Sequence, residues 1–85
     1  LSYKVILSAK AQKQIRKLDK TAASLILRYL YKHIDGCVNP RQYGKALTAN
    51  RSGQWRYRIG NYRVIVSIED DKVTVTSLKM RNGSI

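Results

Sequence analysis

The stretch that most constrains this chain is Trp55-Arg56-Tyr57-Arg58-Ile59-Gly60-Asn61-Tyr62-Arg63, followed directly by Val64-Ile65-Val66-Ser67-Ile68. Side chains alternate faces along a strand, so Arg56 and Arg58 share one face while Trp55, Tyr57 and Ile59 share the other. Gly60-Asn61 is a turn signal, and the apolar run beyond it reads as a second strand returning antiparallel. Arg63, at the start of that strand, then comes close to Arg56 and Arg58. Three guanidinium groups crowded on one sheet face repel one another and favour a polyanion that neutralises them. Phosphate fits, because the planar guanidinium fork offers its oxygens two hydrogen bonds. The same arginines on a plain solvated face would only keep the chain soluble, so composition has to weigh the two readings.

Composition favours the anion. The chain carries 17 Lys and Arg against 5 Asp and Glu, a formal charge of +12. Such self-repulsion accompanies an anionic partner: nucleic acid, an acidic membrane surface or an acidic protein. Between Asp35 and Glu69 there is no acidic residue, while Arg41, Lys45, Arg51, Arg56, Arg58 and Arg63 all fall there. Tyr43, Trp55, Tyr57 and Tyr62 are interleaved with these cations. Aromatics among cations can stack on exposed bases, although for Trp55 and Tyr57 the sheet core is the favoured role. Arg41, Lys45 and Arg51, together with Arg81 near the C-terminus, are the RNA-binding candidates around the central three arginines.

The 85 residues are read as one domain, residues 1–85, because two independent cores would not fit. No apolar stretch approaches the roughly 20 residues needed to span a bilayer, and no signal-peptide pattern opens the chain. Cys37 is the only cysteine, so no internal disulfide forms and a reducing cytoplasm is the expected location. One Cys and one His cannot build a zinc site without a partner chain, and no metal or cofactor is expected. A Cys37–His33 nucleophile pair would lie at a helix end with no orienting acid.

Tyr3-Lys4-Val5-Ile6-Leu7 reads as a strand, and Ser8 as the cap of a helix over 9–18 with Ala11, Ile15 and Leu18 on one face. Thr21 reads as the cap of a second helix over 22–35. Its apolar face is expected to hold Ala22, Leu25, Ile26, Tyr29, Leu30 and His33, with Gly36 as its stop. Residues 37–53 read as an irregular connection, in which Lys45-Ala46-Leu47 is a candidate ordered segment, and a loop this long tends to carry function. The last strand is placed at Lys72–Leu78 after a turn at Glu69-Asp70-Asp71. The fold class is therefore α+β. An N-terminal strand, a two-helix hairpin and a three-stranded antiparallel meander give a four-stranded sheet with the helices on one face. Arg56 and Arg58 then occupy the open face.

This element order, with Ile15-Arg16-Lys17-Leu18-Asp19, Pro40-Arg41-x-x-Gly44-Lys45-Ala46-Leu47 and Trp55-Arg56-x-Arg58-x-Gly60-x-Tyr62-Arg63-Val64-Ile65-Val66, resembles the RelE/ParE toxin superfamily. The match runs over about residues 3–78. The resemblance implies the toxin of a type II toxin–antitoxin module, neutralised by an acidic, RelB-like antitoxin. RelE-type members enter the ribosomal A site and cut the mRNA there. That activity implies attack by the ribose 2′-hydroxyl on the neighbouring phosphate without a metal. Arg56, Arg58 and Arg63 stand where the family has its catalytic basic residues. ParE-type relatives instead poison DNA gyrase and need no ribonuclease residues, which makes gyrase inhibition the non-enzymatic alternative.

The chemistry is compatible with the first reading. Cleavage by an internal 2′-hydroxyl needs positioning and stabilisation of a dianionic phosphorane, which clustered guanidinium groups provide. Arginine is a poor general base, so Arg56 and Arg58 are assigned to phosphate binding and Arg63 to transition-state charge. The departure is Lys79-Met80-Arg81-Asn82-Gly83-Ser84-Ile85, where the family usually has a Gly-His-Arg-Arg-type segment and then an aromatic. Three expectations compete: a shortened chain, a weakened or inactive toxin, and a member that acts otherwise.

Overall fold

The computed structural model describes residues 2–47, 53–81 and, for the backbone alone, 83–84. Strand β1 (Lys4–Leu7) leads into helices α1 (Ala9–Lys17) and α2 (Lys20–Tyr29), and α2 continues as a π-helical turn over Leu30–Ile34. A 3₁₀ turn (Pro40–Tyr43) then precedes strands β2 (Lys45–Ala46), β3 (Gln54–Ile59), β4 (Tyr62–Glu69), β5 (Lys72–Met80) and β6 (Gly83–Ser84). All six strands form one sheet in the order β1-β5-β4-β3-β2, with β6 pairing beside β5. The α+β expectation and the three-stranded meander hold. The count of four strands does not, because Lys45–Ala46 and Gly83–Ser84 each add two residues of pairing at the sheet's margins.

β1 runs parallel to β5, with Val5 beside Val73 and Leu7 beside Val75. Where β1 stops, α1 takes over the same edge. The Ser8 hydroxyl donates to the Thr76 carbonyl at 3.1 Å and accepts the Ala11 N–H at 3.0 Å, so it caps the helix and ties it to the sheet. Gln14 donates to the Leu78 carbonyl at 3.1 Å and accepts the Leu78 N–H at 2.7 Å. A side-chain amide thereby replaces a neighbouring strand, and an exposed edge is covered.

Helix α2 corrects two expectations. Its N-cap is Asp19, whose carboxylate accepts the Ala22 N–H at 2.8 Å, and Thr21 lies inside the first turn. The buried positions are Ile26, Leu30 and Ile34, while His33 is exposed and Leu25 is 47% exposed. The expected face followed an α-helical period. Beyond Leu30 the wider π turn shifts the stripe and brings Ile34, rather than His33, into the core. Leu25 packs instead over the β3–β4 turn. A Cβ on Gly60 would come within 2.8 Å of it, and Gly60 has φ +58°, a conformation glycine tolerates.

The core lies between the helices and one sheet face. Tyr57 and Ile59 of β3, Val64, Val66 and Ile68 of β4, and Val73, Val75 and Leu78 of β5 are buried there with Ala11, Ile15 and Ile26. The expected direction of Trp55, Tyr57 and Ile59 toward the helices is observed, with Trp55 half-buried. A bulge breaks the parity of β5: Val66 pairs with Val75, whereas Ile65 pairs with Ser77, leaving Thr76 as the extra residue. Without it, Ser77 and Lys79 would face the core. With it, Leu78 is buried and Ser77 and Lys79 join the open face.

Candidate nucleic-acid interface

Cross-strand register builds the open face row by row. Lys45, Arg56, Ile65 and Ser77 lie across β2, β3, β4 and β5, and Arg58, Arg63 and Lys79 form the next row. Neighbouring strands are about 4.8 Å apart, so Arg58 and Arg63, directly opposite each other, start from adjacent backbones. Like charges so placed are unfavourable on their own. No Asp or Glu lines the two larger clefts of this face among the described residues.

One cleft of this face holds about 520 Å³. Arg56, Arg63 and Lys79 of the sheet line it with Lys10 of α1, and Thr76 and Ser77 add hydroxyls. Two of its lining residues each have an unpartnered atom. Arg56 Nε and Arg63 Nε are buried and make no hydrogen bond within the protein. A buried donor left unpaired costs on the order of 1–3 kcal/mol, and more when it belongs to a charged group. Both donors belong to residues that line this one cationic cleft.

A second cleft of about 290 Å³ shares Arg56 with the first and adds Arg58, Lys45 and Tyr43. The segment that forms its wall is held by the core. Tyr57 is fully buried and its hydroxyl donates to the Pro40 carbonyl at 2.9 Å. Burial pushes the Tyr57 phenol well above its ordinary value. Gly44 is needed for space: a Cβ there would lie 2.5 Å from the Arg56 carbonyl oxygen and 2.7 Å from the Tyr57 ring. Its backbone is extended, so sterics alone impose the glycine.

The structure thus brings together Arg56, Arg58, Arg63 and Lys45. Arg81 joins at a notch of about 30 Å³ beside Arg58 and Arg63. Arg41 points elsewhere, its guanidinium donating to the Tyr3 hydroxyl at 3.4 Å. Arg51 lies outside the described residues. Sequence reasoning missed Lys10 and Lys79. Lys79 becomes legible only with the Thr76 bulge, and Lys10 only once α1 is known to follow the β5 edge. His33 contacts Tyr29 and Tyr43, with ring centroids 4.9 and 6.3 Å away. Burial pushes the Cys37 thiol up, opposite to what a nucleophile requires.

The sequence model of the ParE toxin of type II toxin–antitoxin systems matches residues 5–84. The chain belongs to this toxin family. Solved structures of the RelE/ParE superfamily share its fold at low identity. The RelBE2 toxin–antitoxin complex of Mycobacterium tuberculosis contains a chain with TM-score 0.83 and 22% identity, covering 95% of this chain and 100% of that one. The RelE–RelB complex of Pyrococcus horikoshii gives TM-score 0.73 at 23% identity, covering 95% and 97%. The YoeB dimer of Staphylococcus aureus gives 0.60 at 18%, covering 91% and 94%. No curated protein matches by sequence. These likenesses establish the fold of this ParE-family toxin, and its chemistry rests on its own residues. No helix among the described residues is long and apolar enough to cross a membrane.

Proposed function

We propose that this ParE-family toxin is a ribosome-dependent mRNA endoribonuclease that inhibits translation. The observation that supports it is one cleft lined by Arg56 and Arg63, each with a buried and unpartnered Nε, together with Lys10 and Lys79. Arg56 and Arg58 bind and orient the scissile phosphate. The ribose 2′-oxygen attacks phosphorus, the bond to the 5′-oxygen breaks, and a 2′,3′-cyclic phosphate and a 5′-hydroxyl result. The 2′-hydroxyl proton must leave and the departing 5′-oxygen must gain one. Guanidinium groups serve this poorly, whereas the amines of Lys79 and Lys10 line the same cleft. Arg63 carries the charge that builds on the phosphorane, and contacts of that kind are worth about 3–4 kcal/mol. An acidic antitoxin neutralises the toxin by covering this basic face, as suits a chain of charge +12 whose fold relatives were solved as RelB complexes.

The test is cleavage of ribosome-bound mRNA. Arg63→Ala lowers its rate about a hundredfold or more on that energy scale, while Lys13→Ala, on the exposed side of α1, changes it little. Unchanged cleavage in Arg63→Ala overturns the assignment. One observation favours a second reading, gyrase inhibition: among the described residues the two clefts that share Arg56 contain no histidine or carboxylate to move a proton. Absent ribosome-stimulated cleavage, together with inhibition of gyrase supercoiling by the same chain, selects that reading.

A further inference from the structure

The sequence interleaves Tyr43, Trp55, Tyr57 and Tyr62 with cations, and the structure separates them. Tyr57 is in the core, and Trp55 and Tyr62 pack against it. Tyr43 alone of the four is outside that cluster, 36% exposed, and it lines the second cleft with Lys45, Arg56 and Arg58. Its ring has aromatic neighbours. His33 of the π-helical turn sits 6.3 Å away, and Tyr29 of α2 is 4.9 Å from His33. The 3₁₀ turn that carries Tyr43 is anchored at Pro40 by the Tyr57 hydroxyl, and the next residue, Gly44, is pressed against β3.

An exposed aromatic on an anchored turn loses little freedom when it binds a flat partner. The chemistry around it names that partner. A sugar or apolar peptide would gain nothing from three adjacent cations, whereas a nucleotide offers a phosphate and a π face together. Arg56 is common to both clefts, so a strand whose phosphate sits on Arg56 extends naturally toward Arg58 and Tyr43. We propose that Tyr43 is a nucleobase platform, stacking the base of the nucleotide that adjoins the phosphate held by Arg56 and Arg58. The proposal rests on the reading of this face as an RNA site and adds a base-binding residue to it.

The probe is a short single-stranded RNA carrying 2-aminopurine, compared with the same backbone bearing abasic riboses. Base–aromatic stacking predicts that Tyr43→Leu weakens the base-containing strand about tenfold and abolishes the fluorescence quenching seen with the parent chain. Affinity for the abasic strand stays unchanged, and Tyr43→Phe keeps both properties. Equal losses on both strands would show that Tyr43 merely supports the turn, and would overturn the proposal. So would an unchanged Tyr43→Leu in a protein where Arg63→Ala weakens both strands, which leaves the RNA reading standing. If the parent chain binds neither strand, the RNA reading itself fails and the platform with it. Should Tyr43→Leu not fold, the parent chain still decides: no quenching on binding, with equal affinity for the two strands, overturns the proposal.

Discussion

The two faces of β3 and β4 are made from alternate residues of the same strands, yet they answer opposite demands. On the covered face Tyr57, Ile59, Val64 and Val66 are buried against the helices, and the polar atom there, the Tyr57 hydroxyl, has its partner at Pro40. On the open face Arg56 and Arg63 hold buried Nε atoms with no partner, and Arg58 faces Arg63 directly. One face is satisfied within the chain. The other leaves two buried donors without a partner in the chain. A fold this small can carry such a face only because the opposite one supplies the stability.

The sharpest way to break this contrast is Tyr57→Ala. Removing a fully buried aromatic costs about 3–5 kcal/mol on the scale of large-to-small core substitutions, and it also strands the Pro40 carbonyl. Urea or thermal unfolding would show it, with roughly 4–8 °C lost per kcal/mol for a domain of this size. A small loss would mean the covered face does not carry the fold. Gly44→Ala comes next, at about 1–3 kcal/mol for forcing a methyl into filled space. Because the displaced neighbours include the Arg56 backbone, this variant should also lower RNA affinity. An intact affinity would show that the edge segment and β3 are not coupled.

Much of this contrast was legible in the sequence. The Trp55-Arg56-Tyr57-Arg58 alternation and the Gly60-Asn61 turn are local signals, and both faces of β3 follow from them. What stayed hidden depends on contacts between distant segments. Thr76 and Ser77 follow a clean Val73-Thr74-Val75 alternation, and nothing local marks Thr76 as the bulged residue that turns Lys79 toward Arg63. Gln14 reads as one more polar residue on an amphipathic helix until Leu78, 64 positions away, is seen bonded to it. The π turn at Leu30–Ile34 departs from a period of 3.6, which is why Ile34 and not His33 continues the buried stripe of Ile26 and Leu30.

A smaller effect tests how fully Tyr57 is enclosed. Burial raises its phenol above the ordinary value of 10.0, so the folded chain keeps the proton when the unfolded chain has released it. The associated stability is fully present below pH 10 and is lost as pH rises further, since the unfolded state then binds fewer protons than the folded one. Tyr57→Phe should flatten this alkaline decline in urea melts. At neutral pH it costs about 1 kcal/mol for the lost bond to Pro40. An alkaline slope as steep as the parent's would mean that other tyrosines govern it.

The smallest expected change has the opposite sign and belongs to the open face. Arg58 stands across from Arg63 on the neighbouring strand, and like charges in that relation disfavour the fold by about 0.2–1 kcal/mol. Arg58 is exposed, so water and salt hold the effect to a few tenths of a kcal/mol, toward the low end of that range. Arg58→Gln should therefore raise the melting temperature by about 1–2 °C at low ionic strength, on the scaling for small domains. The gain should vanish in high salt, where the repulsion is already screened. The same variant should bind single-stranded RNA more weakly, with a salt slope shallower by about 0.7 for the one lost phosphate contact. Stability and binding moving in opposite directions would mark Arg58 as kept for its ligand. A variant less stable than its parent at low salt would show instead that the arginine contributes to the fold, and the contrast between the two faces would lose one of its supports.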